Sequence, residues 1–216
     1  MDYRRKLKQL DAMPFTHAHF LSYLSAYKDP NNKIKQLVDK GEVIRLKRGL
    51  YVAGDLYRND ALSAELLANL LYGPSYISMD YALSFYGIIP ERVYEVTSMT
   101  TKLRKEYETP FGRYTYIKSS KCLYPVGITF VQSSDTSSFM IATKEKALCD
   151  KLVYTKNLQI TSLKGMREYL KEDMRLDLNA LQEFDSEIVL ACAKCGKKTS
   201  MLENLNKLIE QYRENE

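Results

Sequence analysis

The chain has 216 residues, 45% of them hydrophobic, and a formal net charge of +5. This apolar content is sufficient for a buried core, which argues against an intrinsically disordered chain. The positive charge is unevenly distributed, because residues 1–54 hold 11 Lys and Arg against 5 Asp and Glu, whereas residues 55–216 hold 21 against 22. We therefore expect a polyanionic partner, such as nucleic acid, at the N-terminal quarter of the chain.

Targeting and cysteine patterns indicate the compartment. The first residues are polar and basic, and no apolar run reaches the length of a membrane span, so we expect a cytoplasmic protein without a membrane partner. The cysteines Cys122, Cys149, Cys192 and Cys195 are too few and too unevenly spaced for a disulfide scaffold, and we expect free thiols. Cys192 and Cys195 form a single CxxC pair, but tetrahedral zinc needs two further ligands. We interpret the pair as one face of a helix that ends at Gly196, and expect no metal.

Three helices are predicted in the first forty residues, beginning with a short basic one. The second begins at the cap residue Thr16, where Phe15 and Phe20 have the spacing of a hydrophobic staple, and runs to about Tyr27. The third starts in turn-forming sequence and is predicted to end at Gly41.

A β-hairpin is predicted directly after the third helix. Runs of β-prone residues at 43–46 and 50–52 are separated by the basic turn Lys47-Arg48-Gly49. Three helices followed by a hairpin is the element order of a winged helix-turn-helix, which we predict over residues 1–54.

The remainder of the chain predicts a mixed α/β domain and a helical C-terminal part. A linker at residues 55–59 precedes a domain over residues 60–155 with a mainly antiparallel sheet, and Asp60 is placed to cap its first helix. Residues 156–216 have apolar residues at helical spacing and are predicted to pack on that domain as an extension. The predicted fold class is therefore α+β.

Amide and basic side chains in the N-terminal domain suit contact with DNA. A helix in the major groove presents such side chains to base edges, since Asn and Gln can pair with adenine and Lys can reach guanine or phosphate. Arg is favoured where the minor groove is narrow. The candidate DNA-binding residues are Asn31, Asn32, Lys33, Lys35, Gln36 and Lys40 in the third helix, and Arg45, Lys47 and Arg48 in the hairpin. The alternative interpretation is a merely solvated surface.

Several short motifs follow one another in a specific order and spacing over residues 15–155. They are residues 33–51, Pro74-Ser75-Tyr76-Ile77-Ser78, Ala82-Leu83, Tyr86-Gly87-Ile88-Ile89-Pro90, Val96-Thr97-Ser98, Phe111-Gly112, Tyr114-Thr115-Tyr116 and residues 141–150. In this combination the chain resembles the AbiEi antitoxins of bacterial abortive-infection AbiE systems, which are type IV toxin–antitoxin systems.

The resemblance implies an antitoxin that binds inverted repeats in its own promoter through the N-terminal domain and represses that operon. It also implies that the larger domain opposes a nucleotidyltransferase toxin without forming a stable complex. Ser78, Lys146 and Asp150 lie in the shared motifs, and the resemblance assigns them no role. From the residues alone, Ser78 suits a helix N-cap, and Lys146 with Asp150 suits an i, i+4 ion pair.

The sequence lacks the motifs of common enzyme classes. It has no phosphate-binding glycine loop, no GxSxG, no HExxH and no acidic pair with a following lysine as in restriction-like nucleases. We therefore expect neither catalytic residues nor a cofactor. The alternative functions are a stand-alone winged-helix regulator and a protein-interaction module without a toxin partner.

Overall fold

The computed structural model describes residues 3–134 and 137–214. The first two residues of the predicted N-terminal domain and the last two of the predicted C-terminal extension lie outside the described residues. The described chain is a mixed α+β structure with a three-stranded sheet near the N-terminus, a six-stranded sheet and C-terminal helices. The predicted α+β class is confirmed at this level. Within the described ranges, no helix combines the length and the apolar character that crossing a membrane requires.

Residues 3–57, called the N-terminal unit below, contain three helices and the smaller sheet. The elements are α1 Tyr3–Leu10, β1 Phe15–Thr16, α2 His17–Tyr23, α3 Pro30–Asp39, β2 Val43–Lys47 and β3 Leu50–Ala53, followed by a 3₁₀ turn at Asp55–Tyr57. The strand order is β1-β3-β2 with antiparallel pairing throughout. Gly49 has a φ of +84°, a left-handed conformation that suits glycine, and the predicted hairpin turns at this position.

The predicted second helix is present but shorter than expected. Thr16 caps it, and the rings of Phe15 and Phe20 meet edge to face at 5.1 Å, as the hydrophobic staple predicts. The helix ends at Tyr23 rather than at Tyr27. The next amide donates to the carbonyl three residues back, which tightens the last turn and closes the helix.

Residues 64–214, called the larger unit below, contain the six-stranded sheet and the remaining helices. The elements are α4 Ala64–Leu71, β4 Ser75–Ile77, α5 Met79–Phe85, β5 Val96–Thr100, β6 Lys105–Thr109, β7 Gly112–Lys118, β8 Ile128–Ser134, β9 Ser137–Ala142, α6 Lys144–Tyr154, α7 Leu163–Glu168, α8 Ser186–Ala193 and α9 Thr199–Arg213. The strand order is β6-β7-β5-β4-β9-β8. The pairs β4–β9 and β5–β7 are parallel and the other three of the five pairs are antiparallel, so the sheet is mixed with a majority of antiparallel pairs.

Helix α4 begins later than predicted. Ser63, not Asp60, is its cap, with the hydroxyl accepting a hydrogen bond from the Leu66 amide at 3.1 Å. The Asp60 amide and the Asn59 amide both donate to the Asp11 carboxylate, at 3.2 and 2.7 Å. The linker is thus tied to the turn after α1, and the helix starts beyond it.

Strand β3 of the hairpin is buried on both faces. Along β3, Leu50 and Val52 belong to the core of the larger unit, whereas Tyr51 and Ala53 belong to the core of the N-terminal unit. Because successive side chains of a strand point to opposite faces, this alternation places one core on each side of the hairpin. The two units therefore pack against a shared pair of strands.

The C-terminal helices join the core of the larger unit and bring distant cysteines together. A disulfide connects Cys122 with Cys195, whose Cα atoms are 5.6 Å apart. The expectation of free thiols is wrong for this pair. The two cysteines are 73 residues apart in the chain, and only the packing of α8 near the segment before β8 makes them neighbours. Cys149 and Cys192 are free thiols, and both are buried.

Candidate nucleic-acid interface and buried polar cluster

Helix α3 divides its side chains between the core and solvent. Ile34 and Leu37 are buried in the core of the N-terminal unit. The exposed residues of the predicted set are Asn31, Asn32, Lys35, Gln36 and Lys40. An amphipathic helix exposes the face opposite its apolar stripe, so α3 and its C-cap residue Lys40 together present three amide and two lysine side chains to solvent.

The N-terminus of α3 is already capped within the chain. Pro30 occupies the first turn and has no amide hydrogen, and the Asp29 carboxylate accepts a hydrogen bond from the Asn32 amide at 3.0 Å. The negative charge of Asp29 stands where a phosphate would bind the first amides of a helix. Contact between α3 and a polyanion therefore depends on side chains.

Lys33 differs from its neighbours on α3 because it is half-buried. Its ammonium lies 5.3 Å from the ring centroid of Tyr3 and 5.1 Å from that of Tyr27. The negative faces of aromatic rings stabilise a nearby cation. The structure thus places the charge of Lys33 beside the rings of Tyr3 and Tyr27 rather than on the exposed face of α3.

The basic residues of the hairpin also fall into two classes. Arg45 and Arg48 are exposed. The Lys47 ammonium instead donates hydrogen bonds to the carbonyls of Leu70 (3.1 Å) and Leu71 (2.6 Å), at the C-terminus of α4. A cation there complements the negative end of the helix.

The position of Lys47 also affects its titration. Burial lowers the pKa of the Lys47 ammonium, and the neighbouring charge of Lys102 lowers it further. Lys102 itself donates to the Gly73 carbonyl at 2.6 Å, just beyond the same helix end. Two lysines therefore bind the carbonyls at and after the end of α4, and Lys47 joins the hairpin to the larger unit.

The three motif residues of the larger unit come together in one buried cluster. The Ser78 hydroxyl donates a hydrogen bond to one carboxylate oxygen of Asp150 at 2.8 Å, and the Tyr76 hydroxyl donates to the same oxygen at 3.0 Å. The Lys146 ammonium lies 2.8 Å from the other oxygen. It also donates to the Leu123 carbonyl at 2.8 Å. The four side chains of this cluster are completely buried.

The cluster confirms one sequence-based interpretation and corrects another. Lys146 and Asp150 form the i, i+4 ion pair that their spacing predicts. Ser78 stands at the N-cap position of α5, but its side chain makes no capping hydrogen bond and binds Asp150 instead. Tyr76 was missed by the sequence analysis, although its spacing of two from Ser78 on a strand indicates a shared face.

The electrostatics of this cluster combine the cost of burial with the stabilisation that its partners give. Burial raises the pKa of Asp150, while the Lys146 charge and the hydrogen bonds from Lys146, Ser78 and Tyr76 act in the opposite direction. Burial and the charge of Asp150 raise the pKa of Tyr76. With no exposed atom to touch a substrate, the cluster fastens β4 to α6 and to the segment that contains Leu123.

Two clefts on the larger unit each contain a lysine whose ammonium group has a hydrogen-bond or ion-pair partner within the chain. One, of about 630 Å³, is lined by residues 153–161 and 198–201, and its Lys198 ammonium donates to the carbonyls of Leu152 and Thr155. The other, of about 370 Å³, contains the Lys151–Asp80 ion pair at 2.6 Å. Across residues 3–134 and 137–214, no three His, Cys, Asp or Glu side chains are grouped to hold a metal ion.

Comparison with known proteins bears on the fold. The chain matches no protein-family model and no curated protein. It is similar to the solved structure of the RV2827C protein from Mycobacterium tuberculosis, with 11% sequence identity, a TM-score of 0.61 and coverage of 97% of this chain and 75% of that one. A structure titled putative nucleotidyltransferase from H. pylori matches with 10% identity over 71% of this chain and 97% of that one, at a TM-score of 0.32 that is too low to indicate a shared fold. The first similarity concerns the α+β fold alone.

Proposed function

We propose that the N-terminal unit is a winged helix-turn-helix that binds double-stranded DNA, and that the chain is an autorepressing antitoxin of a type IV toxin–antitoxin operon. The observation that carries DNA binding is the exposed set of amide and basic side chains on α3 and the hairpin. This set is Asn31, Asn32, Lys35, Gln36, Lys40, Arg45 and Arg48.

The element order supports the winged-helix assignment. Two consecutive helices, α2 and α3, precede a two-stranded hairpin whose third partner, β1, lies before α2. In a winged helix the second helix of such a pair enters the major groove, while the hairpin lies beside it. In this assignment α3 contacts base edges through its amide side chains, and Arg45 and Arg48 contact the backbone or the minor groove.

Lys33 and Lys47 take a structural role in this proposal. The ammonium of Lys33 is placed between Tyr3 and Tyr27, and that of Lys47 on the carbonyls of α4. A group that already has internal partners gains less from a phosphate than an exposed arginine does. We therefore expect most of the affinity to come from the exposed members of the set.

Gel shifts on the region upstream of the operon test the DNA-binding proposal. We expect salt-sensitive retention of fragments that carry the inverted repeats. Arg48→Ala should weaken binding by about tenfold and lower the slope of log affinity against log salt by about one. Lys164→Ala, at an 85% exposed side chain on α7, is the matched control and should bind like wild type. Absence of salt-sensitive retention would contradict the proposal.

The antitoxin role is supported by the resemblance to the AbiEi family, whose motif residues Ser78, Lys146 and Asp150 converge in one cluster. The partner it implies is a nucleotidyltransferase toxin encoded beside this chain. Co-expression should restore growth of cells that produce this toxin, and Arg48→Ala should restore growth equally while repressing the promoter less. Stable co-purification with the toxin, together with no retention on operator DNA, would contradict autorepression and favour a module whose winged helix contacts a protein partner rather than DNA.

A further inference from the structure

The six-stranded sheet ends in two edge strands of opposite character. β6 is the strand at one edge and β8 is the strand at the other. In five residues β6 contains Lys105, Glu106 and Glu108, and charged residues on an edge strand hinder pairing with a further strand. β8 has the seven-residue sequence ITFVQSS, without a charged residue or a proline. The β8 edge therefore lacks charge and proline, and its regular pairing with β9 covers residues 128–132, before a register shift between Gln132 and Ser134.

β8 also exposes a large aromatic side chain. Phe130 is 68% exposed and lies opposite Met140 on β9. In the described part of the chain, β9 is the only strand that pairs with β8, so the outer backbone groups of β8 have no strand partner. Such an edge is a template on which another strand can pair. Cross-strand contacts of an aromatic residue add to the stability of the strand pair.

We infer that a second copy of this chain pairs with β8, antiparallel and edge to edge, so that two six-stranded sheets join about a two-fold axis. The absence of charge on β8 allows this occupant. An uncharged strand pairs with its own copy without like-charge repulsion. Pairing of β6 with its copy would instead bring side chains of like charge together. A two-fold interface is also self-complementary, and an antiparallel strand pair satisfies that condition with a single sequence.

The alternation of side chains restricts the register of this pairing. Residues directly opposite each other in an antiparallel pair point to the same face of the sheet. Under a two-fold axis perpendicular to the sheet, Phe130 can therefore lie opposite residues such as Ile128, Phe130 or Gln132 of the second copy, but not opposite Val131. Each of these registers brings the two Phe130 side chains to one face of the joined sheet.

Sedimentation equilibrium of the full chain tests the inference. We expect wild type to have twice the monomer mass at about 100 µM, a concentration at which an interface of micromolar Kd is occupied. Phe130→Lys should give the monomer mass. Leu103→Lys is the matched control, since Leu103 is a 72% exposed apolar residue near the opposite edge of the same sheet, and should remain a dimer.

A second pair of variants tests the geometry. Oxidised Phe130→Cys should form a covalent dimer on non-reducing gels, and Leu103→Cys should not. Circular dichroism should show the same folded spectrum for all four variants, because both positions are exposed. A monomeric wild type, or a dimeric Phe130→Lys protein, would overturn the inference.

The outcome is separable from that of the proposed function. A wild-type dimer that does not bind operator DNA would support this inference and contradict the DNA-binding proposal. A monomer that binds the inverted repeats would do the reverse.

Discussion

The N-terminal unit and the larger unit place their distinctive polar residues in opposite environments. The amide and basic side chains of α3 and the hairpin turn are mostly exposed, whereas Ser78, Lys146 and Asp150 are completely buried. Exposed polar groups remain hydrated until a partner replaces the water, while buried ones need protein partners in the folded state. The first set is suited to recognition, and the second holds the fold together.

The same division separates two adjacent residues of the hairpin. Arg48 is exposed, and Lys47 binds the end of α4. Adjacent residues of like charge thus differ in their contacts: Lys47 binds within the chain, and we propose that Arg48 binds DNA. Variants at these positions test whether exposed residues contribute to binding and internally bonded residues contribute to stability.

The largest expected effect is at the buried ion pair. Lys146→Met leaves the Asp150 carboxylate without its cation and should lower the free energy of unfolding by about 3–5 kcal/mol. Urea unfolding followed by circular dichroism measures this change. Lys164→Met, which removes an exposed i, i+4 pair with Glu168, is the control and should change stability by less than about 0.5 kcal/mol.

A double variant sharpens the same point. Lys146→Met combined with Asp150→Leu removes both charges, so we expect it to recover much of the stability that Lys146→Met loses. Equal stability of Lys146→Met and wild type would show that the larger unit does not depend on its buried charges.

The next effect concerns the disulfide. Reduction, or Cys122→Ser, should lower the free energy of unfolding by about 2–4 kcal/mol because the unfolded chain loses a cross-link. Denatured wild type should show thiol reactivity at Cys149 and Cys192 alone before reduction, and at all four cysteines after it. The Cys122→Ser protein should be insensitive to reductant, and a wild type equally insensitive would contradict the cross-link.

A smaller effect compares the two hairpin residues. Lys47→Ala should lower the free energy of unfolding by about 1 kcal/mol through loss of its hydrogen bonds to α4, while Arg48→Ala should leave stability unchanged. DNA affinity should respond in the opposite order, with the larger loss for Arg48→Ala. Thermal unfolding and gel shifts on the same two proteins measure both quantities, and the reverse ranking would contradict the division.

The smallest effect is an acid dependence in the N-terminal unit. A hydrogen bond from the Tyr57 hydroxyl, with a second from Tyr3, lowers the pKa of Glu42 below its ordinary value of 4.5. The resulting stabilisation is complete above 4.5 and is lost as the pH falls through the lowered value. Thermal midpoints against pH should fall more steeply for wild type than for Glu42→Gln, and parallel curves would contradict this role.

Local sequence signals predicted the features that depend on near neighbours in the chain. The Thr16 cap with its staple and the Lys146–Asp150 pair each involve residues four or five positions apart at most, and the structure contains them. The errors arose elsewhere. Asp60 donates its amide to Asp11 and lies before the start of α4, and the Ser78 hydroxyl binds Asp150, so neither side chain makes the expected capping hydrogen bond.

The sequence by itself determined the α+β class, the order of most elements and the placement of basic charge in the first quarter of the chain. Periodicity and capping are short-range, so they can be read from a single segment. Tertiary structure decided which charges are exposed, because Lys47 binds carbonyls 23 and 24 residues further on in the chain, and it also decided the disulfide across 73 residues. Those outcomes depend on which elements pack together, and packing is a property of the whole chain.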